Sequence, residues 1–122
     1  MQDRFKFRCF YCDDKTMFYY DYFGIPNVEK DECATLMQCT GLKDKNGKLI
    51  YEGDILKCYY KNSDTGKIEY DLMKAVFNEK SCAFALVGLR TNSYEYFTDM
   101  EWIADEYEVI GNIYETPELL EA

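Results

Sequence analysis

Apolar and polar side chains alternate along residues 5–10, with the period of two that is typical of a half-buried strand. The Asp-Asp-Lys sequence at 13–15 favours a turn, and residues 16–23 are predicted to be the returning strand of a hairpin. Gly24, Pro26 and Asn27 predict a loop. Residues 28–35 have no periodic pattern, so the pattern predicts a hairpin followed by an irregular segment.

The rest of the chain alternates short apolar stretches with turn residues. Turns are predicted at 43–48, 51–54, 62–66 and 78–80, and strands at 36–40, 55–60, 67–77, 82–87 and 107–114. The strand at 82–87 is apolar on both faces, which predicts an interior position in a sheet. Gly111 indicates a bulge or a close backbone approach in the last strand. Pro117 predicts a helical turn with Thr116 as its N-cap. Short, regularly spaced strands favour an all-β barrel or sandwich.

Two longer segments carry a family resemblance. Residues 37–55, MQCTGLKDKNGKLIYEGDI, and residues 109–120, VIGNIYETPELL, resemble the YopX family of bacteriophage and prophage proteins. FKFR at 5–8 and KTM at 15–17 are similar to that family's first strand and turn. The resemblance implies an SH3-like barrel over residues 36–122, after an N-terminal strand-rich segment over residues 1–35. It implies no established biochemical activity.

Charge is distributed unevenly along the 122 residues. Residues 1–90 hold 14 acidic and 14 basic side chains, whereas residues 91–122 hold nine acidic side chains and no Lys or Arg, which gives the net charge of −9. Such a field repels nucleic-acid phosphate and anionic lipid. No apolar run reaches the roughly 18 residues of a membrane span and no signal peptide opens the chain, so we expect a cytoplasmic protein without nucleic-acid or membrane partners.

Six cysteines stand at positions 9, 12, 33, 39, 58 and 82. In a reducing cytosol they are expected to be free thiols. Cys9 and Cys12 have the Cys-x-x-Cys spacing of a zinc or redox site, but no second such pair follows and the pair lies beside a hairpin turn. We therefore expect neither a metal site nor a cofactor.

Catalytic chemistry has little support in this sequence. The chain contains no histidine, which excludes histidine-dependent nucleophiles and histidine metal ligands. Glycine-rich phosphate-binding motifs are missing. Carboxylates are plentiful, but their clustering in the last quarter is typical of a solvated face. We expect a protein that is not an enzyme.

Two groups of residues are candidates for binding. Tyr51, Glu52 and Asp54 could line a groove of the kind that binds peptides, or could form a packed bend around a Gly53 of positive φ, which we favour. Tyr19, Tyr20 and Tyr22 lie on an aromatic strand that a small protein cannot bury on both faces. Because exposed aromatic residues are enriched at interfaces, we expect a homo-oligomer that acts through protein–protein contacts with a host or phage protein.

Two alternatives remain open at this stage. The carboxylates of residues 91–122 could mimic DNA and bind a basic host protein. A barrel could instead bind nucleic acid through cations that converge on one face, namely Lys6, Arg8, Lys43, Lys45 and Lys48. The acidic tail counts against the second alternative.

Overall fold

The computed structural model describes residues 5–21, 24–89, 94–96 and 106–121. Within these ranges the protein is mainly β, as predicted, with a short 3-10 turn at Pro117–Glu121. Strands β1 to β9 are, in order, Phe7–Tyr11, Thr16–Tyr20, Ala34–Lys43, Leu49–Tyr51, Asp54–Lys61, Ile68–Asn78, Ala83–Gly88, Tyr94–Tyr96 and Tyr107–Asn112.

The first sheet has the strand order β2-β1-β3-β4. All of its pairings are antiparallel, with Arg8 on β1 opposite Tyr19 on β2 and Met37 on β3. Directly opposed side chains share a face of a sheet, so these three side chains point to the same side. Strand β2 lies at one edge of this sheet.

The second sheet has the order β8-β7-β6-β5-β9 and is also antiparallel. Its inner face carries most of the main core, to which Ile50 of β4 and Leu42 of β3 contribute from the first sheet. The buried members of this core are Ile50, Leu56, Met73, Ala75, Leu86, Tyr107 and Val109. Burial of this apolar surface therefore holds the two sheets together.

Backbone hydrogen bonds also connect the sheets. At the bend between β4 and β5, the Gly53 N–H donates to the Ala75 carbonyl at 2.8 Å, and the Gly53 carbonyl accepts from Ile113 at 2.9 Å. At the other end, the Val109 N–H donates to Asp44 Oδ2 at 2.9 Å. The turn between β3 and β4 is thereby tied to β9, so the second sheet curls around the hairpin of the first.

Most of the predicted turns are confirmed, with differences in detail. Gly47 has a φ of 80°, but the turn closes through Asp44, whose Oδ1 accepts from the N–H groups of Asn46 and Lys48. The predicted strand 36–40 is longer, since β3 begins at Ala34 and crosses the predicted division at residue 35. That division into two segments stays a prediction. Asn92 and Ser93 also predict a loop, and both lie outside the described residues.

The end of β9 confirms the close approach predicted at Gly111. Ile110 is an extra residue between the pairs Ile55–Gly111 and Leu56–Val109, which makes a bulge. A Cβ at Gly111 would overlap Thr116 Oγ1. That hydroxyl is bonded to the N–H and carbonyl of Asn112, while Thr116 directly precedes the 3-10 turn and its carbonyl accepts from the Leu119 N–H at 3.1 Å.

The prediction of free thiols is wrong for two of the six cysteines. Cys12 and Cys33 form a disulfide with a Cα–Cα distance of 5.2 Å, directly beyond the last paired residues of β1 and β3. Cys9 is fully buried, so Cys9 and Cys12 do not present two thiols to one ligand. Cys9, Cys39, Cys58 and Cys82 are reduced thiols, as expected.

No helix among the described residues has the length and apolar character needed to span a bilayer.

Candidate functional site

A buried arginine organises the most chemically unusual region of the described chain. Arg8, only 2% exposed, places Nη2 2.8 Å from Asp54 Oδ1 and donates to the Glu52 carbonyl at 2.9 Å. Its guanidinium carbon lies 4.8 Å from the centroid of the Tyr51 ring. Arg8 Nε is buried and has no hydrogen-bond partner among the described residues. Strand β1 is thus joined to the bend between β4 and β5.

The bend forms because its sequence satisfies its own backbone. Gly53 supplies the positive φ of 85°, which an L-residue adopts with strain. Asp54 Oδ2 accepts from the Tyr51 N–H at 2.8 Å, and Glu52 Oε1 accepts from the Gln38 N–H at 2.9 Å. Both oxygens of Asp54 are therefore engaged, one by Arg8 and the other by the backbone.

Burial sets the ionisation behaviour of the bend. It raises the pKa of Asp54 above its ordinary value, although the Arg8 charge and hydrogen bond act in the opposite direction. It likewise raises the pKa of Glu52. Burial is also the main reason that the pKa of Tyr51 reaches about 12, with the nearby Asp21 carboxylate contributing. At neutral pH the Tyr51 hydroxyl is consequently protonated and can donate a hydrogen bond.

A cleft opens beside this cluster. Tyr19 meets Tyr51 edge to face, with the ring centroids 5.5 Å apart. The cleft has a volume of about 380 Å³ and is lined by Arg8, Tyr19, Gly47, Lys48, Leu49 and Tyr51. Strands β1 and β2 and the hairpin β3–β4 all contribute to it. It therefore exists only in the assembled first sheet.

The other predicted tyrosines do not join this cluster. Tyr20 lies on the opposite face of β2 from Tyr19, in a cleft of about 350 Å³ with Tyr11, Asp14 and Phe18. A hydrogen bond with Tyr20 is the main cause of a raised pKa at Tyr11. Tyr22 falls outside the described residues. The structure therefore brings Tyr19, Tyr51, Glu52 and Asp54 together, and keeps Tyr20 apart.

Arg8 is the centre of the site, a position that its sequence pattern did not predict. Alternation along β1 placed it on a polar face among cations that could bind nucleic acid, yet the structure buries it against Asp54. Lys45 is also engaged, with Nζ 4.3 Å from the centroid of the Tyr59 ring. Of the five cations that could have formed a nucleic-acid-binding face, Arg8 is buried and cannot contact a phosphate, and Lys45 packs on an aromatic ring. The signal available in the sequence was an arginine between Phe7 and Cys9, although its partner could not be read from it.

Known proteins similar to this chain place it in a family. The family model described as YopX protein matches residues 24–121. The crystal structure of protein EF1440 from Enterococcus faecalis is similar, with a TM-score of 0.55 and 25% sequence identity over 94% of this chain and 96% of that chain. The curated proteins contain no match. Since the family model covers well over half of the sequence, including the Tyr51–Asp54 bend, the chain belongs to the YopX family.

Proposed function

We propose that this protein is a non-enzymatic phage or prophage accessory protein, acting in the bacterial cytoplasm through protein–protein contacts, and that its first partner is a second copy of itself. The family supports the accessory role. The curled second sheet, tied to the β3–β4 hairpin, is the part that we assign as an SH3-like barrel. The observation that carries the proposal is the exposed aromatic edge of the first sheet.

Strand β2 is that edge. Among the described strands, it pairs with β1 on one side and ends the strand order on the other, so half of its backbone N–H and C=O groups point away from the described sheet. Phe18 and Tyr19 are 49% and 57% exposed. An edge strand with large aromatic side chains is a template for pairing with another strand.

The charges around β2 favour pairing with the β2 strand of a second copy over pairing with a strand of another protein. Thr16–Tyr20 contains no charged residue, so two copies can approach without repulsion. Lys15 precedes the strand and Asp21 follows it, each three residues from Phe18. An antiparallel pair with Phe18 opposite its own counterpart therefore sets Lys15 of each copy against Asp21 of the other. Opposite charges in such positions favour this register.

Sedimentation velocity tests the self-association. We expect the native chain to sediment as a dimer at tens of micromolar. Phe18→Lys should shift it to monomer, because the substitution sets two ammonium groups against each other across the two-fold axis. Phe77→Lys is the matched control and should leave the dimer intact. Phe77 is 40% exposed, but its strand β6 lies between β5 and β7 and has no free edge for pairing with a second copy.

Charge reversal tests the register. Lys15→Asp and Asp21→Lys should each weaken the dimer, and the double variant should restore it. A native chain that stays monomeric at tens of micromolar would contradict the proposal. If Phe18→Lys remains a dimer, the interface lies elsewhere on the protein, which would contradict its assignment to β2.

A further inference from the structure

The end of strand β1 carries a cluster of metal-ligating side chain types that the self-association proposal does not use. The Sγ atoms of Cys12 and Cys33 and a carboxylate oxygen of Asp13 all lie within 4.8 Å of one another. Cys12 and Asp13 are exposed and Cys33 is half-buried, so an ion can reach the cluster from solvent. Within the described part of the chain, this is the one group of three or more such side chains that could hold a metal ion.

We propose that, once the Cys12–Cys33 disulfide is reduced, Cys12, Cys33 and Asp13 together bind one zinc ion, with a fourth position left to water. Thiolate sulfur and carboxylate oxygen are both ordinary zinc ligands, and three protein ligands with one water is a recurrent zinc arrangement. The sequence expectation of no metal site rested on Cys9 and Cys12. Cys33, which lies 21 positions after Cys12, takes the place of the buried Cys9.

The backbone places the ligands together without help from the S–S bond. The Cys12 N–H donates to the Cys33 carbonyl at 2.9 Å, directly beyond the pairing of Tyr11 with Ala34. Asp31 Oδ1 accepts from the Cys33 N–H at 3.0 Å, which holds the turn that leads into β3. The two Cα atoms are 5.2 Å apart. Rotation about χ1 from there can set two thiolates about 3.8 Å apart, as tetrahedral coordination with Zn–S bonds of about 2.3 Å requires.

Reduction and zinc binding exchange electrons and protons in a defined way. A dithiol reductant breaks the S–S bond, supplies two electrons and two protons to the cysteine sulfurs, and becomes a disulfide itself. Zinc then displaces the two thiol protons, because only thiolates ligate the ion. In the reverse direction a small-molecule disulfide oxidises the two thiolates, is reduced to two thiolates, and releases the zinc ion.

The site therefore holds zinc only under reducing conditions, which the proposed cytoplasmic setting supplies. That setting is the only part of the proposed function on which zinc binding depends.

Cadmium titration of the whole reduced chain tests the proposal, because cadmium–thiolate bonds absorb in the ultraviolet. Every sample carries Cys82→Ser, since Cys82 is an exposed thiol outside the cluster, and the reductant is removed before metal is added. The reduced chain should bind one cadmium ion saturably. Zinc should displace it, whereas Mg²⁺, which prefers oxygen ligands, should not. The same chain with its disulfide intact should bind at least about a hundredfold more weakly.

Two neighbouring aspartates supply the matched variants. Asp13→Asn should weaken cadmium binding about tenfold, because an amide is a poorer ligand than a carboxylate. Asp14→Asn changes an exposed carboxylate outside the cluster and should leave the affinity unchanged. Both side chains are exposed, so both variants keep the fold.

Cys12→Ser should abolish stoichiometric binding, since it removes one of the two sulfur ligands. Absence of saturable binding to the reduced chain, affinity that does not depend on reduction, or equal affinities of Asp13→Asn and Asp14→Asn would each overturn the proposal. Sedimentation of the metal-free reduced chain measures the dimer separately, so loss of self-association and loss of metal binding are distinguishable.

Discussion

At the scale of single residues, the Arg8–Asp54 pair is the interaction on which the site depends. Both side chains are almost completely removed from water. Transfer of two ions into a protein interior is unfavourable, and only close geometry and further hydrogen bonds offset it. The Glu52 carbonyl and the Tyr51 N–H supply those hydrogen bonds. Removal of one partner therefore leaves the other charge buried and uncompensated.

Asp54→Ala tests this dependence. We expect the free energy of unfolding to fall by about 3–5 kcal/mol, because the variant strands the Arg8 charge and frees the Tyr51 N–H. Urea denaturation measures the change. Asp64→Ala, at an exposed position in the β5–β6 turn, should change stability by less than about 0.5 kcal/mol. Equal effects of the two substitutions would show that the buried pair contributes nothing.

Glu108 is expected to give a pH-dependent contribution to stability. The Tyr59 hydroxyl donates to Glu108 Oε1 at 2.9 Å and the Asn46 side chain donates to Oε2 at 3.2 Å. These hydrogen bonds lower the pKa of Glu108 below 4.5. A group with a lowered pKa in the folded state stabilises the fold above its unfolded pKa, and that contribution disappears as the pH falls through the folded value.

Comparison of the native chain with Glu108→Gln isolates this effect. Native stability should exceed that of the variant at pH 7, and the difference should shrink as the pH falls below about 4.5 and through the lowered pKa of Glu108. Asp54 and Glu52 have raised pKa values, so their contributions run in the opposite direction and cancel in the comparison. A difference that does not depend on pH would contradict the assignment to Glu108.

At the scale of elements, substitutions at two glycines of positive φ distinguish the cost of backbone strain from the cost of steric crowding by a new Cβ. Gly53 and Gly66 have φ values of 85° and 73°. A Cβ at Gly53 would lie 3.3 Å from Met37 Sδ and from the Tyr114 ring, whereas a Cβ at Gly66 meets nothing within 4 Å. Gly66→Ala should therefore destabilise the fold by about 1–2 kcal/mol through strain alone.

Gly53→Ala should destabilise the fold by more than Gly66→Ala, because the strain is similar and the crowding is added. Thermal unfolding of both variants measures the two losses. If Gly53→Ala is the milder substitution, the bend is looser than its contacts with Met37 and Tyr114 indicate.

Strands and turns were the part of the fold that the sequence could predict. The period of two locates β1, and glycine and asparagine mark the turns on either side of β5. Pairing between distant strands could not be predicted, because it depends on which faces meet. The Cys12–Cys33 disulfide belongs to that class, since it follows from the pairing of Tyr11 with Ala34. The expectation of a reducing cytosol had instead predicted that both cysteines are free thiols.

The candidate site was predicted in part for the same reason. Tyr51, Glu52 and Asp54 are adjacent in sequence, and their turn chemistry indicated a bend. Arg8 lies 46 positions before Asp54, and local alternation placed it on a polar face. That face of β1 becomes buried only when β1 packs against the bend between β4 and β5. Lys48 could not be selected from the other lysines without the cleft.

At the scale of the whole molecule, the acidic excess is only partly described. Glu108 is hydrogen-bonded to Tyr59, and the Asn112 side chain donates to Glu115 at 2.8 Å. These two carboxylates therefore accept hydrogen bonds that hold β9 and the turn after it in place. The structure does not describe the side chains of residues 95–105, so mimicry of DNA by the C-terminal quarter stays a prediction.

The position of Arg8 in the first strand has a consequence for any attempt to shorten the chain. Residues 36–122, produced alone, would keep Asp54 and lose the cation that compensates it. We expect this fragment to unfold or aggregate under conditions where the intact chain gives a dispersed NMR spectrum. Adding a peptide of residues 1–35 in trans should then restore folded signals, as in proteins whose missing strand is supplied by a separate molecule.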